Sequence, residues 1–186
     1  TTASGQVQVS TGSDAAVGIK CVIGTDEDAL LDGKFGLDPV VMDAPVGTVV
    51  RAVPATVAAN RTSVVQCPFE DLRRGTTYYY GATAQDTDGT GFTVAAASFL
   101  TRPPKVVLSK VVRKRKAVVL RWKAARGADY YQARIRKGGS YRAWKQFSRK
   151  KVRFGKLQRS TVYKVQVRAG NDAGNGPRIT KKVRTK

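Results

Sequence analysis

Histidine is absent from this chain of 186 residues. That removes the usual general base, the usual proton shuttle and the commonest metal ligand at once. Cysteine occurs only as Cys21 and Cys67, too few for a Cys-rich zinc site when no histidine can complete one. No apolar run approaches the roughly 18 residues of a membrane-spanning helix. Nucleophile elbows and phosphate-cradling glycine loops are missing too. Among the neighbouring carboxylates Asp26, Glu27 and Asp28 nothing visible raises the pKa of one of them. The expectation is a protein that is not an enzyme, with no cofactor, no metal and no small-molecule substrate. What remains is a chain that is 41% hydrophobic, enough for a packed core and too much for a disordered tail. It opens at Thr1 with no basic-then-apolar leader, as a mature secreted product or an excised piece does.

The second half lacks acid. Residues 1–102 hold 7 Lys/Arg and 11 Asp/Glu, a net of −4. Residues 103–186 hold 27 Lys/Arg and 2 Asp/Glu, a net of +25, and together they give the overall +21. So many like charges repel one another in the folded state. The imbalance calls for an acidic partner, either foreign or the acidic half of another copy.

Short runs rich in Val, Thr, Tyr and Ile alternate with turns of Gly, Asp and Asn, the pattern of an all-β sandwich. Asp26 to Leu31 is the one helix candidate. In the second half, strands are expected from Val106, over Ala117–Trp122, around Tyr131–Ile135, over Tyr141–Phe147 and Val152–Leu157, over Val162–Ala169 and over Ile179–Val183. Val118, Leu120 and Trp122 share one face, as do Tyr131, Ala133 and Ile135, and Tyr163, Val165, Val167 and Ala169. Seven such strands describe two packed sheets.

Trp122, Tyr131 and the run Leu157, Tyr163, Val165, Val167, Ala169, Asn171, Gly174, Gly176 closely resemble a fibronectin type III domain. The resemblance implies that Trp122 fills the core and that Leu157 and Tyr163 form a tyrosine corner. The same signature occurs 85 residues earlier: Leu72, Thr76, Tyr78, Ala84, Gly89 and Gly91 match Leu157, Thr161, Tyr163, Ala169, Gly174 and Gly176. The chain therefore resembles two tandem immunoglobulin-like (fibronectin type III-like) β-sandwiches, a divergent acidic one over 1–102 and a strongly basic one over 103–186. Arg102-Pro103-Pro104 reads as a short stiff linker. The first copy has no core tryptophan. Gln6-Val7-Gln8-Val9 aligns either with the family's second strand, so that this copy lacks its first strand and leaves one sheet edge open, or with its first strand, the register being shifted by one. Open edges template strand addition. The family pattern places Cys21 and Cys67 on strands of opposite sheets. The alternatives are a disulfide across the core or two buried free thiols, and the resemblance favours the bond, which also fits a secreted protein.

Alternation pushes the charges of the basic half onto its outer faces. Arg113, Lys114, Arg115, Lys116, Arg134, Arg136, Arg149, Lys150, Lys151, Lys164 and Arg168 are the candidate polyanion- or partner-binding residues. Arg134 and Arg136 are expected to share a sheet face with Lys164 and Arg168. Trp144 lies among them with Tyr141 and Phe147, either stacking on sugars or bases or covering the sheet. An insert in the first half carries Asp26, Glu27, Asp28 and Asp32, either an acidic docking face or a solvated loop, and is followed by the apolar run Gly47 to Ala59. Asp86-Thr87-Asp88-Gly89 resembles part of a calcium loop but lacks the ligand ladder. Asn60-Arg61-Thr62 is a glycosylation sequon.

Two functions follow. One is an extracellular or cell-surface structural or adhesive protein that assembles with other copies of itself into a filament, sheath or virion-surface array, through acidic and basic domains. The other is a secreted module that binds acidic polymers: an anionic cell-wall polymer, an acidic polysaccharide or a nucleic acid backbone.

Overall fold

A computed structural model describes residues 2–12, 15, 17–26, 47–52, 54–85 and 91–186. The described residues form strands and turns and no helix. The chain divides into two compact units, Thr1–Arg73 with Thr77–Phe99, and Leu100–Lys186 with Arg74–Thr76.

The first unit contains β1 (Ala3–Ser10), β2 (Val17–Gly24), β3 (Gly47–Arg51), β4 (Thr62–Phe69), β5 (Thr77–Gln85) and β6 (Gly91–Leu100). One sheet runs β3-β2-β5-β6 and the other is the pair β1-β4. β1 alternates cleanly: Gly5, Val7 and Val9 are buried, and Ser4, Gln6, Gln8 and Ser10 are exposed. Its register with β4 runs from Ala3 opposite Phe69 to Ser10 opposite Thr62. Among the described residues nothing pairs with the other edge of β1. That edge carries no charge, proline or bulge of the kind that usually blunts an exposed strand. The start of the apolar run, Gly47–Arg51, pairs with β2 as an edge strand. The helix candidate lies outside the described residues except for the exposed Asp26, which is not helical.

Without a tryptophan, the first core is filled by four other rings. Phe69 lies 5.7 Å from Tyr80 and 6.3 Å from Phe99, and Phe99 lies 5.9 Å from Tyr78 and 5.8 Å from Tyr80. Such pairs contribute about 0.5–1.5 kcal/mol each beyond their area burial. Beside them Cys21 of β2 and Cys67 of β4, both fully buried, form a disulfide with Cα atoms 5.6 Å apart. The two strands belong to opposite sheets, so the bond crosses the core.

The second unit contains β7 (Leu108–Arg113), β8 (Val118–Trp122), β9 (Tyr130–Arg136), β10 (Lys145–Phe147), β11 (Lys151–Phe154), β12 (Val162–Asn171), β13 (Gly174–Asn175) and β14 (Ile179–Arg184). One sheet is β11-β8-β7; in the other, β9 lies between β10 and β12, and β12 also pairs with β13 and β14. The expected apolar faces meet between them: Val118, Leu120 and Trp122 pack with Tyr131, Ala133, Ile135, Tyr163, Val165, Val167 and Ala169. Trp122 is centred 5.4 Å from Tyr131.

Arg102–Pro104, read from sequence as a spacer, belongs to this second unit. Pro103 is fully buried. Asn171 donates from Nδ2 to the Thr101 and Gly127 carbonyls at 3.0 and 2.9 Å, and Arg102 donates from Nε to the Ala173 carbonyl at 3.1 Å. A Cβ at position 176 would collide with the Pro103 carbonyl oxygen, so Gly176 is required there. The Asn171, Gly174, Gly176 run thus fastens the entering chain to the sandwich.

Candidate functional site

The outer face of the sheet built on β9 and β12 is where charge accumulates. With Tyr131, Ala133 and Ile135 turned to the core, Gln132, Arg134 and Arg136 point outward and are half-buried. On β12, Lys164, Gln166 and Arg168 do the same opposite Tyr163, Val165 and Val167, with Gln166 fully covered. The register aligns them in rows. Lys164 sits between Arg136 of β9 and Lys182 of β14, and Gln166 sits between Arg134 and Thr180. Arg168 faces Gln132, which faces Gln146 of β10. Adjacent strands are about 4.8 Å apart, so three cations share a row about 10 Å long. Like charges directly opposite one another on neighbouring strands are destabilising.

Above these rows aromatic rings and guanidinium groups alternate. Arg136 lies 4.6 Å from the Tyr141 ring centre and Arg134 lies 4.5 Å from the same ring. Arg134 is also 4.3 Å from Trp144, and Arg168 is 4.2 Å from Trp144. Each guanidinium is aimed by a neutral acceptor. Arg134 donates from Nε to Gln166 Oε1 at 2.8 Å, Arg168 donates from Nε to Gln132 Oε1 at 2.9 Å, and Arg136 donates from Nη1 to the Gly139 carbonyl at 2.7 Å. Gln166 in turn donates to Thr180 Oγ1 at 3.1 Å. Amide oxygens orient these charges without neutralising them. Burial, and then the neighbouring Arg134, push the pKa of Arg168 below the usual arginine value. Trp144 is half-buried against two guanidiniums. Its ring therefore spaces arginines and covers the sheet.

The opposite sheet repeats the device. Arg121 of β8 sits between Lys110 of β7 and Lys151 of β11, and all three are exposed. The remaining predicted cations fall elsewhere. Arg149 and Lys150 lie in the exposed turn before β11, where the Lys150 carbonyl accepts from the Trp122 amide at 3.2 Å. Arg113 ends β7, and Lys114, Arg115 and Lys116 form the turn into β8. That turn, with Ala117, Arg153, Lys156 and Arg159, lines an open concavity of about 790 Å³. The predicted cations thus occupy separate regions of one unit rather than one patch. Sequence reasoning missed Lys110, Arg121, Lys156 and Arg159. For Arg121 the signal was present, since it alternates with the core residues Leu120 and Trp122. Of the acidic face, Asp26 is exposed, and Glu27, Asp28 and Asp32 lie outside the described residues, as do Asp86 to Gly89. Among the described residues no group of three or more Cys, Asp or Glu is placed to hold a metal ion, and no helix is long and apolar enough to cross a membrane.

Two sheets with this strand order define an immunoglobulin-like sandwich. Both repeats are, more narrowly, fibronectin type III-like. In each, a backbone amide closes the tyrosine corner, Arg73 onto Tyr78 Oη and Gln158 onto Tyr163 Oη, both at 2.9 Å. No protein-family model matches the chain, and no curated protein does. Solved structures do. The crystal structure of FN3tt is 21% identical over 46% of this chain and 97% of its own, with a TM-score of 0.41. The chicken CNTN1 FN1-FN3 domains are 17% identical, covering 91% of this chain and 57% of theirs, with a TM-score of 0.39. Domains d3-d4 of the rat CD45 extracellular region are 22% identical, covering 63% and 67%, with a TM-score of 0.46. The fold assignment is carried by the strand order and the two corners.

Proposed function

We propose that the chain is an extracellular adhesive or structural module that holds acidic polymers on the outer faces of its second domain. The observation that carries this reading is the pair of three-cation rows, Arg136–Lys164–Lys182 and Lys110–Arg121–Lys151, one on each sheet. Random surface charge does not require like residues to face each other across three strands, and the arrangement costs stability. A polyanion laid along either row offsets that cost and releases its counterions. The buried Cys21–Cys67 disulfide fits an oxidising compartment. The test is binding of fluorescent heparin to the intact chain and to a K164Q/K182Q variant at low salt. Retained affinity in this variant and in a K110Q/K151Q variant alike, or no binding by the wild type, rejects the reading.

A second reading, assembly with other copies, is favoured by the edge of β1 with which no described residue pairs. Light scattering and negative-stain microscopy at low and high salt test it. Filaments or rings that persist in high salt support strand addition, and a monomer at every salt concentration rejects it.

A further inference from the structure

The concavity at one end of the second unit is lined by six cations, Lys114, Arg115, Lys116, Arg153, Lys156 and Arg159, and its only other lining residue is Ala117. Three backbone hydrogen bonds fix its rim. Lys114 N donates to the Ala117 carbonyl at 2.8 Å, Leu157 N to the Lys116 carbonyl at 3.0 Å, and Lys186 N to the Lys114 carbonyl at 3.1 Å. The cations are therefore mounted on a built frame.

The internal repeat shows what this frame gives up to carry them. The residue before the corner leucine is left-handed in both copies: Asp71 has φ 51° and Lys156 has φ 56°. The position before the following threonine is left-handed as well, at Gly75 with φ 64° and Ser160 with φ 47°. The first copy uses Asp and Gly, which tolerate this conformation. The second copy places a lysine there, strained in its backbone and set among five other cations. The two-residue loop between β7 and β8, Arg115-Lys116, adds two more cations in ordinary backbone conformations. Within the concavity a cation thus occupies a left-handed position that the other repeat gives to aspartate. A lysine held in this conformation in one repeat, where the other has the more tolerant aspartate, points to a ligand.

We propose that this concavity is a binding site for a polysaccharide densely substituted with sulfate or phosphate. This rests on the polyanion reading above and deepens it. The lining has no aromatic ring, so it offers no platform for stacking bases. Three arginines supply planar forks and three lysines supply point charges for tetrahedral oxyanions. A glycan with one carboxylate per two sugars would not meet six cations in one concavity, and a densely substituted chain does.

The experiment uses the intact chain and the variants K156N, K156R and S160G. It measures thermal melting and the affinity for four probes: a heparin oligosaccharide, a glycerol-phosphate oligomer, hyaluronan and single-stranded DNA. K156N is expected to melt higher, because asparagine accepts the left-handed conformation, and to bind heparin or glycerol phosphate about fivefold more weakly. Its log–log salt slope should shrink by about one. K156R should bind like the wild type without added stability, and S160G should melt higher with unchanged affinity. Preference for heparin identifies sulfate as the group bound and preference for glycerol phosphate identifies phosphate; both support the site. Wild-type affinity in K156N, or a lower melting temperature, overturns it. Tighter binding of hyaluronan or DNA than of either dense probe overturns the ligand class. If K156N is silent while K164Q/K182Q weakens binding, this inference falls and the sheet-face reading stands. If the wild type binds none of the probes, both fall.

Discussion

Replacing both Cys21 and Cys67 with alanine is expected to destabilise the first unit alone, and the chain carries its own reporter for this. The bond joins residues 46 apart in sequence. In the chain-entropy model a loop of that length restricts the unfolded state by about 4 kcal/mol. A domain typically has about 5–15 kcal/mol in total. With a urea dependence of about 1–3 kcal/mol per molar, the midpoint of the first unit should fall by about 1.5–4 M. Both tryptophans, Trp122 and Trp144, lie in the second unit, and Trp122 is in its core. Tryptophan fluorescence therefore follows the second unit, while far-UV circular dichroism follows both. The account predicts a variant whose fluorescence midpoint is unchanged and whose dichroism splits, with an early phase of the expected size. An early phase that moves by less than about 0.5 M, or a fluorescence midpoint that moves with it, refutes the reasoning. So does a non-reduced mass showing two free thiols in the wild type.

Trp144→Ala removes contacts to Arg134 and Arg168 worth about 0.5–1 kcal/mol each. It should lower the urea stability of the second unit by about 1–2 kcal/mol, with phenylalanine restoring part of the loss. Lys164→Gln removes one charge and with it two like-charge pairings, to Arg136 and Lys182, each worth about 0.2–1 kcal/mol. Melting at low salt should therefore rise, and the gain should vanish near 1 M salt, where screening acts within about 3 Å. With no histidine in the chain, polyanion affinity should be flat from pH 6 to 8; titration calorimetry across that range checks it.

What the sequence disclosed followed physical period. Strict alternation in Tyr131–Ile135 and Tyr163–Ala169 located the second core, and with it the shared basic face of Arg134, Arg136, Lys164 and Arg168. The repeated corner located the first domain. The fourth strand of the basic domain is shorter than expected, Lys145–Phe147, because Tyr141 and Trp144 leave the ladder to cover arginines. Nothing in local sequence signals that, since the partners come from β9 and β12. The spacer residues Arg102–Pro104 have the composition of a linker, and only the distant Asn171 and Gly176 reveal that they are docked. The six-cation concavity was hidden for the same reason: its residues come from 114–117 and 153–159, and a charge run has no period to show where it points.

The most direct test of polyanion binding is the affinity of the intact chain for heparin measured across salt concentration. One three-cation row should give a log–log slope of about −2 to −3, and engagement of both faces a steeper one. A linear fall at least that steep, made shallower by K164Q/K182Q, is the predicted result. No binding at low salt, or an affinity indifferent to salt, would contradict the account.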